Sequence, residues 1–199
     1  MLPVKHAELA KTRLLPPPCV DRDRLARAIA LDSLAAVWSC AAVARLVVVT
    51  SDPVVATWAR AVGDVVADPG AGLTAAIDAG LARAGRAGPV AVLLADVPAL
   101  RPDELGAAFS ACSPFHAAFV PDLEGTGTVL LAATDPAQLA PAFGPGSAAR
   151  HEAGGAVRLN LDLPSLRRDV DTWEGLQQAL SLGVGPATAA ATAGAADAG

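Results

Sequence analysis

Two places in this sequence set carboxylates where a hard cation can use them. The apolar run "PVAVLLAD" (89–96) ends in Asp96. Asp169 and Asp171, in "RRDVDTW", stand one residue apart, and in an extended segment residues i and i+2 point the same way. Divalent cations take oxygen ligands, and phosphates complete their shell. Near the start, Lys5, Lys11 and Arg13 place three cations within nine residues, an arrangement suited to a triphosphate. Each feature has a plainer reading. Asp96 could close a turn or cap a helix, although Pro98 and Arg101-Pro102 put the next helix several residues on. Asp171 could cap the last helix with Glu174 as its capping-box partner, a role Asp169 does not have. Surface loops commonly carry lysines.

These residues need elements to position them. The pattern predicts helices over 21–44, 53–62, 72–85, 101–112, 136–142, 147–154 and 171–183, with Asp21 as a cap and Pro102 in a first turn. It predicts strands over 45–50, 64–68, 89–96, 116–122 and 127–133, the last two joined by "LEGT". Strands alternating with helices imply an α/β fold: one domain over 1–187, with a mixed, mostly parallel sheet and helices on both faces. In such sheets ligands bind outside the carboxyl ends of the strands, which puts Asp96 at the rim of the crevice. The front is unusual, because only Met1-Leu2 precede Pro3 where a strand should open the domain. Either that strand is very short or the natural start lies several residues upstream. The Ala/Gly-rich end, 188–199, has almost no large apolar side chain and is expected to be disordered.

Composition narrows the partners. The 199 residues are 53% hydrophobic, carry a net charge of -5 and include no Tyr. With no basic patch interleaved with aromatics, nucleic acid is not expected as a partner. No apolar run long enough to cross a bilayer appears, and "MLPVKHAELAK" lacks the apolar stretch of a signal peptide, so a cytoplasmic protein without membrane partners is expected. Cys19, Cys40 and Cys112 have no paired short spacing and read as reduced thiols rather than a disulfide framework or zinc site. No Ser-His-Asp order, H-E-x-x-H or C-x-x-C is present. "EGTGTVLL" and "FGPGSAARH" offer glycines, hydroxyls and backbone N–H groups of the kind that cradle phosphate oxygens. Their plainer readings are a hairpin turn at 124–128 and a helix N-cap at Ser147. His151, taken alone, reads as a surface or packing residue.

In order along the chain, "PVKHAELAKTRL", "DPGAGLTAAI", "LLADVPAL", "GTGTVLL", "FGPGSAARH", "DVDTWEGL" and "LGVGPATA" resemble the phosphoenolpyruvate and 2-phospho-L-lactate guanylyltransferase family of coenzyme F420 biosynthesis. The resemblance spans about residues 3–188. It implies a single-domain, GT-A-like nucleotidyltransferase that joins GMP from GTP to a small phosphorylated three-carbon acid and releases pyrophosphate. By motif, it implies that Asp96, Asp169 and Asp171 hold Mg2+, that Thr128, Gly144 and Ser147 bind phosphoenolpyruvate, and that Lys5, Lys11 and Arg13 are catalytic contacts to the GTP phosphates. Thr74 stands where the family has an asparagine, and the first strand is nearly missing; both depart from the pattern.

Two other readings compete. A molybdopterin-type or sugar-phosphate nucleotidyltransferase would open with a glycine-rich loop, and "PVKHAELAKTRL" has no glycine. A non-catalytic nucleotide-binding module would not need three carboxylates at the ends of separate elements. The sequence leaves the oligomeric state open.

Overall fold

A computed structural model describes residues 1–196. Seven strands form two ladders. The first, in spatial order β1 (Leu2–Val4), β2 (Val47–Thr50) and β3 (Asp64–Ala67), is parallel throughout. The second runs β4 (Val90–Leu93), β6 (Thr128–Ala133), β5 (Ala117–Pro121), β7 (Val157–Arg158). Met1 joins them: its carbonyl accepts from Leu93 N at 3.1 Å and its amine donates to the Ala91 carbonyl. This is the parallel pattern, so β6 alone runs against the sheet. The first strand is therefore short but complete enough to bridge the two ladders.

The helices are α1 (Arg22–Ser39), α2 (Pro53–Arg60), α3 (Leu73–Ala84), α4 (Pro102–Cys112), α5 (Ser147–Ala153), α6 (Pro164–Arg167), α7 (Trp173–Leu182) and α8 (Pro186–Ala196). Successive strand residues point to opposite faces, and here both faces are covered. Leu93, Val120 and Leu130 pack with Leu34 of α1, Val55 of α2 and Leu105 of α4. Their neighbours Val92, Phe119 and Leu131 pack on the other side with Ile77 of α3 and Ala148 of α5. That double burial explains why these strands read as continuous apolar runs. Asp21 caps α1 by accepting from Arg24 N at 2.8 Å.

Three differences from the expected elements matter. Residues 136–142 form only a single 3-10 turn, Pro136–Gln138. Strand β7 and the short α6 were not anticipated, although "VRLNLDL" alternates with the period of a strand. Most importantly, the expectation of a disordered end fails over 188–196, where α8 packs along α1. Asp32, buried in α1, accepts from Ala187 N (3.1 Å) and Thr188 N (2.7 Å) and so caps α8 from outside. Gly185 permits this approach, since a Cβ there would collide with the Asp32 carboxylate. Thr188 and Thr192 are buried, and Ala191 packs against the cluster of Leu25, Ile29 and Leu176. Small side chains allow helices to approach closely, and the composition of the segment does not register that. Residues 197–199 of the expected tail lie outside the described residues.

Among the described residues no helix is long and apolar enough to cross a membrane. Cys40 and Cys112 are buried, Cys19 is exposed, and all three are free thiols. A cavity of about 380 Å³ lies between the amino ends of β2 and β4 and is lined by apolar side chains such as Leu46, Val90 and Ala133. It is at the opposite edge of the sheet from Asp96.

Candidate active site

The loop after β1 is fastened at both ends. Ala7 N donates to Asp52 Oδ2 at 3.4 Å, and Arg27 Nε donates to the same oxygen at 2.9 Å. Burial works against the Asp52 charge, but Arg27 and the backbone N–H groups of Val55, Ala7 and Val54 outweigh it and hold the carboxyl below its ordinary range. At the far end, fully buried Leu14 donates its N–H to the Lys11 carbonyl at 2.8 Å. Between these anchors Lys11 adopts φ +52°, a left-handed conformation that costs an ordinary residue about 1 kcal/mol. The strain is held by what the side chain does: Lys11 Nζ lies 3.0 Å from Asp96 Oδ2 and 3.0 Å from Asp171 Oδ1.

Asp96 sits three residues beyond the end of β4, and its loop is held from two sides. Ser33 of α1 accepts from Val97 N at 3.1 Å, and Val170 N donates to the Asp96 carbonyl at 2.9 Å. The second bond carries Asp169 and Asp171 to Asp96. Asp96 is only 15% exposed, and its Oδ1 is buried with no hydrogen-bond partner among the described residues. An orphaned carboxylate oxygen is costly unless something positive meets it. Burial opposes the charge on Lys11, but Asp96 and Asp171 more than offset this, and the lysine pKa is raised.

Asp169 is half-buried. Burial, then Asp96 and Asp171, with a further contribution from Asp122, push its carboxyl up to about 7 against the pull of Lys11. Carboxylate oxygens of Asp122, Glu124 and Asp169 also lie within 4.8 Å of one another. Asp122 accepts from Thr126 N (2.9 Å) and Gly127 N (2.7 Å), while Glu124 pairs with Arg168 at 3.0 Å. Carboxylates crowded in this way, with one oxygen unpartnered, fit a divalent cation.

The turn 122–128 leads from these acids to a second group. Thr128 opens β6, with Oγ1 2.9 Å from His151 Nδ1. Ser147 opens α5 and is buried, and Ala148 N donates to the Thr126 carbonyl at 3.1 Å. Gly144 and Gly146, at φ +111° and +71°, let the chain turn beside them. Arg150 secures that turn through the carbonyls of Ala142 (3.0 Å), Pro145 (2.6 Å) and Phe143 (3.2 Å).

Thus Lys11, Asp96, Asp169 and Asp171 converge, and Arg13 lines a small recess with Lys11, Thr12 and Asp171. Thr128, Gly144 and Ser147 form a neighbouring group. Lys5 is exposed directly after β1, and no hydrogen bond or ion pair among the described residues ties it to the aspartates. Two plainer readings are corrected. The cap of α7 is Thr172, which accepts from Gly175 N at 3.1 Å, so Asp171 is released from capping. Gly146, not Ser147, occupies the N-cap position of α5. Sequence reasoning passed over Asp122 and Glu124 as cation donors, and His151 as a buried polar link. The signal for Asp122 was present: "AFVPD" ends a strand in aspartate just as "VLLAD" does.

A nearly parallel sheet whose carboxyl edge gathers cation-competent carboxylates beside a cationic loop defines a nucleotidyltransferase, and residues 25–158 match the family model described as a MobA-like NTP transferase domain. A putative nucleotide-diphospho-sugar transferase from Desulfovibrio desulfuricans G20 has the same fold, with TM-score 0.56 and 18% identity, covering 91% of this chain and 94% of that one. The chain belongs to the phosphoenolpyruvate guanylyltransferase family and is an enzyme. It is 49% identical to the Geodermatophilus obscurus phosphoenolpyruvate guanylyltransferase, over 98% of this chain and 94% of the relative. It is 50% identical to that of Salinispora arenicola, over 95% and 90%.

Proposed function

We propose that this enzyme transfers GMP from GTP to phosphoenolpyruvate, or to the closely related 2-phospho-L-lactate, releasing pyrophosphate in coenzyme F420 biosynthesis. The observation that carries the reading is the convergence of Lys11, Asp96, Asp169 and Asp171 beside the Thr128–Ser147 group. The names of relatives half-identical over nearly the whole chain support it.

The acceptor already carries an anionic phosphate, so no general base is required. One of its phosphate oxygens forms a bond to the α-phosphorus of GTP while the bond from that phosphorus to the bridging oxygen breaks, and the electron pair leaves on pyrophosphate. The difficulty is bringing two polyanions together. Asp96, Asp169 and Asp171, with Asp122 beside them, would hold a divalent cation such as Mg2+, which would supply the positive charge that neutralises and orients phosphate oxygens. Lys11, Arg13 and Lys5 offer positive charge to the β- and γ-phosphates. Thr128, Ser147 and the backbone at Gly144 bind the phosphorylated acid on the other side of the 122–128 turn.

The test is incubation with GTP, Mg2+ and, separately, phosphoenolpyruvate, 2-phospho-L-lactate, 3-phosphoglycerate and a panel of sugar phosphates, following pyrophosphate and the guanylylated product by mass spectrometry. Product from either of the first two supports the reading. Pyrophosphate release with sugar phosphates, and none with three-carbon acids, overturns it.

A further inference from the structure

His151 makes two hydrogen bonds that the mechanism above does not use. Ala142 N donates to His151 Nε2 at 2.8 Å. A ring nitrogen that accepts carries no proton, so the neutral imidazole holds its proton on Nδ1. Nδ1 is the atom 2.9 Å from Thr128 Oγ1. The bond therefore runs from Nδ1–H to the threonine oxygen, and the hydroxyl proton of Thr128 is left for another acceptor. In the opposite tautomer the hydroxyl would donate into the ring and have no proton to offer a ligand.

The surroundings keep the ring in this state. His151 is 1% exposed and packs between Phe119 and Phe143, with ring centroids 5.7 and 5.0 Å away. Burial, then the neighbouring Arg150, push its pKa down to about 4. Ser147 lies one helical turn earlier on the same buried face of α5. One ring thus connects strand β6, helix α5 and the 142–146 turn.

We infer that His151 is a positioning residue for the phosphorylated acid: it ties Thr128 to the 142–147 segment and leaves the Thr128 hydroxyl as a donor to an anionic oxygen of the bound acceptor. The inference rests on the acceptor site proposed above. It gives a buried, neutral histidine a role in choosing an acceptor that carries negative charge where Thr128 can donate.

Steady-state kinetics with GTP and the acid varied separately test it, using Thr128→Val, His151→Phe and the double variant. Thr128→Val should raise the KM for the acid about tenfold or more, as expected for loss of a hydrogen bond to a charged group, and leave the KM for GTP within about twofold. His151→Phe, which keeps a planar aromatic ring but no hydrogen-bonding nitrogen, should reproduce that split. In the double variant the effects should not add. If Thr128→Val leaves the KM for the acid unchanged, the acceptor assignment fails and the inference falls with it. If Thr128→Val has its effect but His151→Phe does not, or the two effects add, the inference alone is overturned. His151→Asn places an amide donor where Nδ1 stands and should recover most of the lost affinity. Nitrogen NMR of the wild-type ring provides a check independent of folding in the variants: Nδ1–H is expected, and Nε2–H overturns the inference.

Discussion

Lys11 and Asp96, 85 positions apart in sequence, meet at 3.0 Å, and the lysine that makes the contact is in a left-handed conformation. Its ammonium lies between Asp96 and Asp171, where a divalent cation would draw on the same oxygens. Replacing Lys11 with Met should lower the melting temperature of the metal-free protein, because two carboxylates lose their counter-charge. The same variant should bind Mn2+ more tightly by calorimetry, since a competitor is gone, while turning over more slowly. Weaker Mn2+ binding would mean that Lys11 does not share the cation's oxygens. Asp96→Asn should keep the fold and lower turnover by at least about a hundredfold.

The pH dependence of stability should carry the signature of Asp169. Its carboxyl, ordinarily near 3.8, is pushed up to about 7 in the fold, first by burial and then by Asp96 and Asp171. Between these values the folded state binds more protons than the unfolded one, so this group makes stability fall as pH rises through the window. Asp169→Asn removes the effect. The metal-free variant should melt above the parent at pH 8 and near it at pH 4. Thermal melts from pH 4 to 8 read this directly, and an equal offset at every pH would assign the change to packing instead.

Capping and the proposed cation binding should separate at neighbouring residues. Thr172→Ala should cost about 1 kcal/mol of stability through loss of the α7 cap, with little change in the Mg2+ dependence of turnover. Asp171→Ala should do the reverse. Denaturant unfolding alongside Mg2+ titrations distinguishes them, and a stability loss confined to Asp171→Ala would return the capping role to that residue.

Helix α8 should behave as part of the core. Asp32→Ala removes the acceptor for Ala187 N and Thr188 N and should cost about 1–2 kcal/mol. Truncation after residue 188 should lower the melting temperature by several degrees, because Thr192 and Ala191 leave the surface of α1. An unchanged melting temperature on truncation would show that α8 adds nothing to the fold.

Local pattern was enough to place strands β2 to β6 and most of the helices that cover them, and to single out the charged residues of the candidate site. Both signals are local. Strands buried on two faces must be apolar throughout, as "AVLL" and "VLLAA" are, and a carboxylate ending such a run stands at the ligand-binding edge whatever else the fold does. Tertiary structure decided how the groups share their duties. That Asp122 lies beside Asp169 and that Lys11 reaches Asp96 depend on distances between segments far apart in the chain. The polar pair Asp32 and Ser33 makes the same point from inside α1. Ser33 fixes the Asp96 loop through Val97 N, and Asp32 fixes α8. Neither partner is near in sequence. The docking of an alanine-rich helix was hidden for a related reason: its stability comes from close approach and an external cap, and composition records neither.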